Sequence, residues 1–170
     1  ELLSVAGLCK SFGGLEAVSD LGFTVGEGEI LGIIGPNGAG KTTAVNLISG
    51  VIKPSSGRVL LAGTDATGLA PHVLVERGLV RTFQATTVYA NRTVRENLLR
   101  GAYRDIYPGF FATLFNTAQA RDAALRTDQH VDEVMQWLDL KRVESQVASN
   151  LPYGFQKVLG MGIGLAARPR

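Results

Sequence analysis

Cysteine is almost missing from this chain. Cys9 stands alone among 170 residues, so no disulfide forms within it, which fits a reducing compartment. Long apolar runs are missing too. Stretches such as Ile30 to Ile34 fall far short of the roughly 18 residues that a membrane span needs. Any work at a membrane is therefore expected to go through a partner, with no direct span. The opening Glu1-Leu2-Leu3 lacks the pattern of a signal peptide. Charge of one sign is scarce. The formal net charge is +2, and basic residues are scattered, with no run beyond pairs such as Lys141-Arg142, so nucleic acid is not an expected partner. Internal repeats and low-complexity tracts are absent. What remains is ordinary for a soluble globular domain with one real core: 45% apolar and 19% charged residues. Glycine, by contrast, is abundant at 21 residues, and several cluster in one place.

The pattern along the chain is α/β. Residues 1–34 read as strands and turns, with Leu2, Val5 and Leu8 opening an apolar stretch and Leu21 to Val25 alternating as a half-buried strand does. Ile30-Leu31-Gly32-Ile33-Ile34 is apolar on both faces, which predicts a central buried strand. A helical pattern with Val45, Leu47 and Ile48 follows, closed by Gly50. Strands are predicted over Arg58 to Ala62 and Leu79 to Phe83, and a short helix over 71–77 with Pro71 in its first turn. Thr93 predicts an N-cap for a helix over Val94 to Leu99, with Glu96 completing a capping box. Val131, Val134, Met135 and Leu138 form one apolar helical stripe. The aromatic-rich segment Tyr103 to Phe115 suits either subdomain core or a partner-docking surface. A last helix is predicted over Gln156 to Ala167.

The glycine cluster carries the chemistry. Gly35-Pro36-Asn37-Gly38-Ala39-Gly40-Lys41-Thr42 fits G-x-x-x-x-G-K-[ST], between an apolar run and a helix. A polyphosphate needs many donors at short range. Glycines let successive backbone N–H groups turn inward as a nest, and the helix that follows offers its positive end. Lys41 would place a point charge on the β and γ phosphates, Thr42 a hydroxyl on Mg²⁺, and Thr43 a further hydroxyl near the α phosphate. The expected ligands are ATP and Mg²⁺. Such loops serve several families. A GTPase would need N-K-x-D, which the chain lacks, and Asp65-Ala66-Thr67-Gly68, though it matches D-x-x-G, reads as a turn after a strand.

Four features together resemble the ABC ATPase family. Phe12, in Lys10-Ser11-Phe12-Gly13, lies where the family places an aromatic that stacks on adenine, although a core Phe beside a Gly-Gly turn fits the same residues. The loop itself reads G-P-N-G-A-G-K-T-T. Arg81-Thr82-Phe83-Gln84 resembles the Q-loop, in which Gln84 would reach Mg²⁺ and the attacking water and sense a transmembrane partner. Leu151-Pro152-Tyr153-Gly154-Phe155-Gln156 stands where the signature L-S-G-G-Q is expected. Pro152, Tyr153 and Phe155 replace the signature's Ser, first Gly and Gln, so the hydroxyl is absent while Gly154 and the helix N-terminus remain as backbone donors. L-P-Y-G, R-T-F-Q and the aromatic insert are most similar to the ATP-binding subunits of branched-chain amino acid importers, the LivG-like branch. The resemblance covers nearly the whole chain.

The resemblance implies a RecA-like core with an antiparallel β subdomain and a helical subdomain inserted after the Q-loop. The expected division is 1–84 for the β subdomain and P-loop core, 85–150 for the Q-loop and helical subdomain, and 151–170 for the signature and its helix. It implies Lys41 and Gln84 as catalytic, Thr42 and Gln84 as metal-contacting, and Phe12, Gly35 to Thr43 and Gly154 as nucleotide-binding. Of those, Pro36, Asn37, Gly38, Ala39 and Gly40 contribute backbone. Expected partners are transmembrane permease subunits and a second ABC ATPase, in a homodimer or heterodimer at the inner face of the cell membrane, in the cytoplasm. A soluble ABC ATPase without transport, or a nucleotide-binding piece without turnover, fits the same residues. No strand ending in Asp-Glu, the Walker B element, can be placed. The chain is thus expected to be a truncated piece that binds nucleotide weakly, does not turn it over, and is poorly stable with its central sheet incomplete.

Overall fold

A computed structural model describes residues 1–82, 88–103 and 117–170. Two compact units divide the chain, Glu1–Leu79 with Arg170, and Val80–Pro169.

In the first unit, β1 (Leu3–Phe12) and β2 (Leu15–Val25) form an antiparallel hairpin. Its two-residue connection has positive φ at both Gly13 (51°) and Gly14 (91°), as a type I′ turn requires and as only glycine adopts cheaply. β3 (Ser56–Leu61) adds to β1, and the short β4 (Thr64–Asp65) adds to β3, giving the order β2-β1-β3-β4. All these pairings are antiparallel. Helices α1 (Lys41–Ile48) and α2 (Pro71–Glu76) supply Ala44, Leu47 and Leu74 to a core with Val5, Leu8, Val18, Val59 and Leu61. The Asp65 to Gly68 stretch is a turn: the Asp65 carboxylate accepts from the Thr67 N–H at 2.8 Å.

Two strand expectations are corrected. Ile30 to Ile34 lies in no ladder, and Ile30 and Ile34 are 98% and 93% exposed. No neighbouring strand among the described residues offers this segment hydrogen-bond partners, so its apolar faces stay uncovered. Leu79 to Thr82 also joins no ladder, and Phe83 lies outside the described residues.

The second unit is helical. It comprises α3 (Val94–Gly101), α4 (Ala118–Trp137), α5 (Tyr153–Ala166) and two 3₁₀ turns, Lys141–Val143 and Ala148–Asn150. The last helix begins at Tyr153 rather than Gln156, because Pro152 takes the N-cap and the Gln156 N–H already bonds the Pro152 carbonyl at 3.1 Å. The expected stripe is the core: Val131, Val134 and Met135 are buried against Val94, Leu98 and Leu159, with Leu138 partly buried beside them. The Thr93–Glu96 capping box forms in full. Most of the aromatic segment from 103 to 115 lies outside the described residues; Tyr103 itself is exposed.

A charge network spans the outside of this unit. Arg95 reaches Asp128 (2.9 Å), Asp132 (2.7 Å) and Glu144 (3.0 Å), and Lys141 reaches Asp132 and Glu144 at 3.0 Å each. Hydrogen bonding to Lys141, then to Arg95, holds the Asp132 carboxyl below its ordinary range, and Lys141 does the same for Glu144. Carboxyls depressed in the folded state contribute stability that is complete above their unfolded values, about 4. That stability disappears as pH falls through the unfolded and then the folded values. The urea midpoint of the helical unit is therefore expected to fall between pH 5 and pH 3, and to fall less in Arg95→Met. Equal pH dependence in both proteins would show that the network is not responsible.

Candidate functional site

The phosphate loop sits in the first unit, and one glycine fixes its seat. Gly40 is the N-cap of α1, in the left-handed region at φ 78°. A Cβ there would lie 2.3 Å from the Ala17 carbonyl oxygen and 3.4 Å from Val18 Cγ2. The loop therefore rests directly on β2, the strand whose hairpin partner carries Phe12. Gly38 also has positive φ (84°), but a Cβ there meets nothing within 4 Å. One glycine makes room for packing, and the other makes a turn that faces open space.

The first turn of α1 has neither a side-chain cap nor an acidic residue. A helix leaves its first N–H groups without intrahelical partners, and side chains normally take them. At α3 and α4 they do. In α3 the Glu96 N–H bonds Thr93 Oγ1 (3.2 Å), and the Val94 and Arg95 N–H groups bond the carbonyls of Gln146 and Glu144 at 3.0 and 3.1 Å. Thr117 caps α4. Among the described α-helices, the starts without a side-chain cap are α1, α5 and α2, and α2 opens with Pro71, which has no N–H to satisfy. The other two are the helices that the sequence marks for phosphate contact.

Lys41 lies over the same loop. Its ammonium donates to the Gly35 and Pro36 carbonyls, both at 2.7 Å. The Thr42 side chain is exposed and Thr43 half-buried. A triphosphate with a divalent cation suits this donor set. Backbone N–H groups and one ammonium would face its anionic oxygens, and the Thr42 hydroxyl would offer a hard ligand, with phosphate oxygens and water left to complete an Mg²⁺ sphere. Among the described residues no cluster of His, Cys, Asp and Glu could hold a metal unaided.

Phe12 closes β1 and is 48% exposed, with the Lys10 ammonium 5.1 Å from its ring centre. It is not a core residue, so the packing alternative for it fails. Gln84 lies outside the described residues. Gly154 is in the first turn of α5, exposed, with nothing within 4 Å of a Cβ placed there. Beside it, Gln156 Nε2 donates to the Leu151 carbonyl at 2.9 Å, and the ring of Phe155 lies under the Arg142 guanidinium at 5.1 Å. The stretch Leu151 to Gln156 therefore leaves backbone open at Gly154, while the Gln156 side chain bonds its own turn.

The ABC transporter family pattern matches residues 18–170. The chain belongs to the ABC transporter family. It is 35% identical over 169 residues to the high-affinity branched-chain amino acid transport ATP-binding protein BraF of Pseudomonas aeruginosa, covering 99% of this chain and 66% of BraF. It is 37% identical over 171 residues to LivG of Escherichia coli K12, covering 99% of this chain and 66% of LivG. Among solved structures, this ABC member superposes on the ATP-binding cassette MJ1267 in its ADP conformation with a TM-score of 0.81 at 30% identity, covering 99% of this chain and 65% of that one. A nucleotide-free cassette gives 0.79 at 32%, covering 99% and 66%. The chain thus spans just under two thirds of the length of these relatives.

Sequence reasoning did not show the seat on β2. It depends on the Ala17 carbonyl, a backbone atom that no side-chain pattern reveals. Gly40→Ala is expected to destabilise the first unit by about 2–3 kcal/mol, through left-handed strain plus the clash. Gly38→Ala should cost about 1–2 kcal/mol, from strain alone. Urea unfolding of both variants checks this, and equal costs would show that the loop does not rest on β2.

Proposed function

We propose that this chain is the nucleotide-binding part of the ATPase subunit of an ABC importer, and that it holds ATP with Mg²⁺ at Gly35 to Thr43. The observation that carries this is the uncapped N-terminus of α1, seated on β2 by Gly40 and overlain by the Lys41 ammonium. The N–H groups from Gly38 to Thr43 would hold the phosphates, Lys41 would neutralise the β and γ oxygens, and Thr42 would ligate the metal. Mg²⁺, when bound, supplies charge neutralisation on the phosphates. The exposed Phe12 ring suits stacking on a flat base. Gln84 is assigned a part in positioning the attacking water, and Gly154 a backbone contact to the γ phosphate of a partner's ATP.

The names of BraF and LivG support import of branched-chain amino acids or similar small solutes as the process served. No described helix is long and apolar enough to cross a membrane. Permease partners would supply the span, with a second ATPase closing over the nucleotide. The subunit would work at the inner face of the membrane. Hydrolysis needs a carboxylate to polarise water. Residues 1–170 carry none after an apolar strand, so this stretch alone is expected to bind ATP without turning it over.

Calorimetric titration with ATP, with and without Mg²⁺, tests the binding. Saturable binding that weakens at least about tenfold in Lys41→Ala is expected, since one charge-assisted contact is lost. Equal binding by parent and variant would place the nucleotide elsewhere.

A further inference from the structure

Phe12 has a partner at the tip of its hairpin. The Lys10 ammonium lies 5.1 Å from the centre of the ring, and the same ammonium donates to the Lys53 carbonyl at 2.8 Å. Lys10 and Phe12 stand two positions apart on β1, so both side chains leave the strand on one face. Lys53 belongs to the stretch that follows α1. That stretch is bonded to the end of β1 twice more: the Ser55 N–H donates to the Cys9 carbonyl at 2.9 Å, and the Ser11 N–H donates to Ser55 Oγ at 3.2 Å. The bonds from Lys10, Ser11 and Ser55 thus fix the end of β1 against residues 53–55, and one of them runs through the side chain that meets the Phe12 ring.

The other strand of the hairpin meets the phosphate loop at the same end. Lys10 pairs with Val18 and Ser11 with Glu16, which leaves Ala17 as an extra, bulged residue on β2. The Ala17 carbonyl is the atom beside which only a glycine fits at position 40. Phe12 pairs with Leu15, two positions from that bulge. Ring and phosphate loop are therefore carried by neighbouring positions of one hairpin. The helix that starts at the loop, through the stretch after it, holds the lysine at the ring.

We propose that Lys10 is a positioning residue for the base of the bound nucleotide. A half-open Phe ring moves among its rotamers, and a base that stacks on it must arrest that motion. A cation against one face is attracted by the ring's quadrupole and arrests it beforehand. The ammonium also draws electron density from the ring, which favours an electron-rich purine against the opposite face. The bond to the Lys53 carbonyl keeps the ammonium in place. This role rests on the reading of Phe12 and Gly35 to Thr43 as the nucleotide site; the contact between Lys10 and Phe12 does not.

Calorimetric titration with ATP and with inorganic tripolyphosphate, which has no base, both in Mg²⁺, tests the role. Lys10→Met keeps a long side chain and removes its charge. It should weaken ATP binding about two- to fivefold, the range of an exposed cation–π contact, and leave tripolyphosphate binding unchanged. Lys10→Arg should restore most of the loss. In a Phe12→Leu background, Lys10→Met should cost nothing further. Equal weakening of ATP and tripolyphosphate would overturn the role and make Lys10 a charge for the phosphates. Parental ATP affinity in Lys10→Met, or an undiminished penalty beside Phe12→Leu, would overturn it as well. Unchanged ATP affinity in Phe12→Leu would strike the base-stacking reading and the role with it. Proton–carbon spectra of the nucleotide-free chain separate the two and need no Lys10 variant. The Lys10 ε-methylene protons should be shifted upfield by the Phe12 ring and return to ordinary positions in Phe12→Leu. Ordinary positions in the parent would overturn the positioning role even where ATP stacks on Phe12.

Discussion

A helix must satisfy the N–H groups of its first turn, and the helices of this molecule meet that requirement in different ways. At α3 side chains and neighbouring carbonyls take them, through Thr93, Glu96 and the backbone of Glu144 and Gln146. At α1 no side chain does. The helix start is kept open, and Gly40 keeps it in place by fitting where any Cβ would strike the Ala17 carbonyl. The proposed anion site would thus draw on N–H groups that no side chain caps, held on a hairpin whose own turn needs Gly13 and Gly14. Lys41, folded onto two loop carbonyls, adds the positive charge that those N–H groups lack.

The second unit shows the opposite economy. Its polar groups are spent on holding backbone together. Asn97 clamps Tyr89, Gln156 bonds the carbonyl of Leu151, and Arg95 and Lys141 share Asp132 and Glu144. The signature region retains open backbone at Gly154 but no hydroxyl, so whatever it contributes to a nucleotide comes from main chain and helix end. The family match runs through both units, from residue 18 to residue 170.

Features that depend on neighbours in sequence were legible before the fold. The Thr93–Glu96 box and the Val131–Val134–Met135 stripe each follow from spacing along one element, and each is found as expected. Features that depend on a partner in space were not. Ile30 to Ile34 has the composition of a buried strand, but a strand exists only when another strand supplies its hydrogen bonds, and none does so here among the described residues. Phe12 looked equally suited to core and surface because the Gly-Gly turn beside it fits both; only the hairpin geometry leaves its ring half open. The Asn97 clamp gave no signal, since a lone Asn in a helical pattern reads as an ordinary polar residue. Gln84 was read from its resemblance to the family and lies outside the described residues.

The central claim is that backbone N–H groups at the start of α1 take the phosphates. The most direct test follows the amide resonances of Gly38 to Thr43 in the ¹⁵N-labelled chain as ATP with Mg²⁺ is added. Those six amides should shift together and saturate with one dissociation constant, while Glu96 and Asn97 in the capped α3 stay in place. Shifts confined to other residues, or none at Gly38 to Thr43 at saturating ATP, would contradict it.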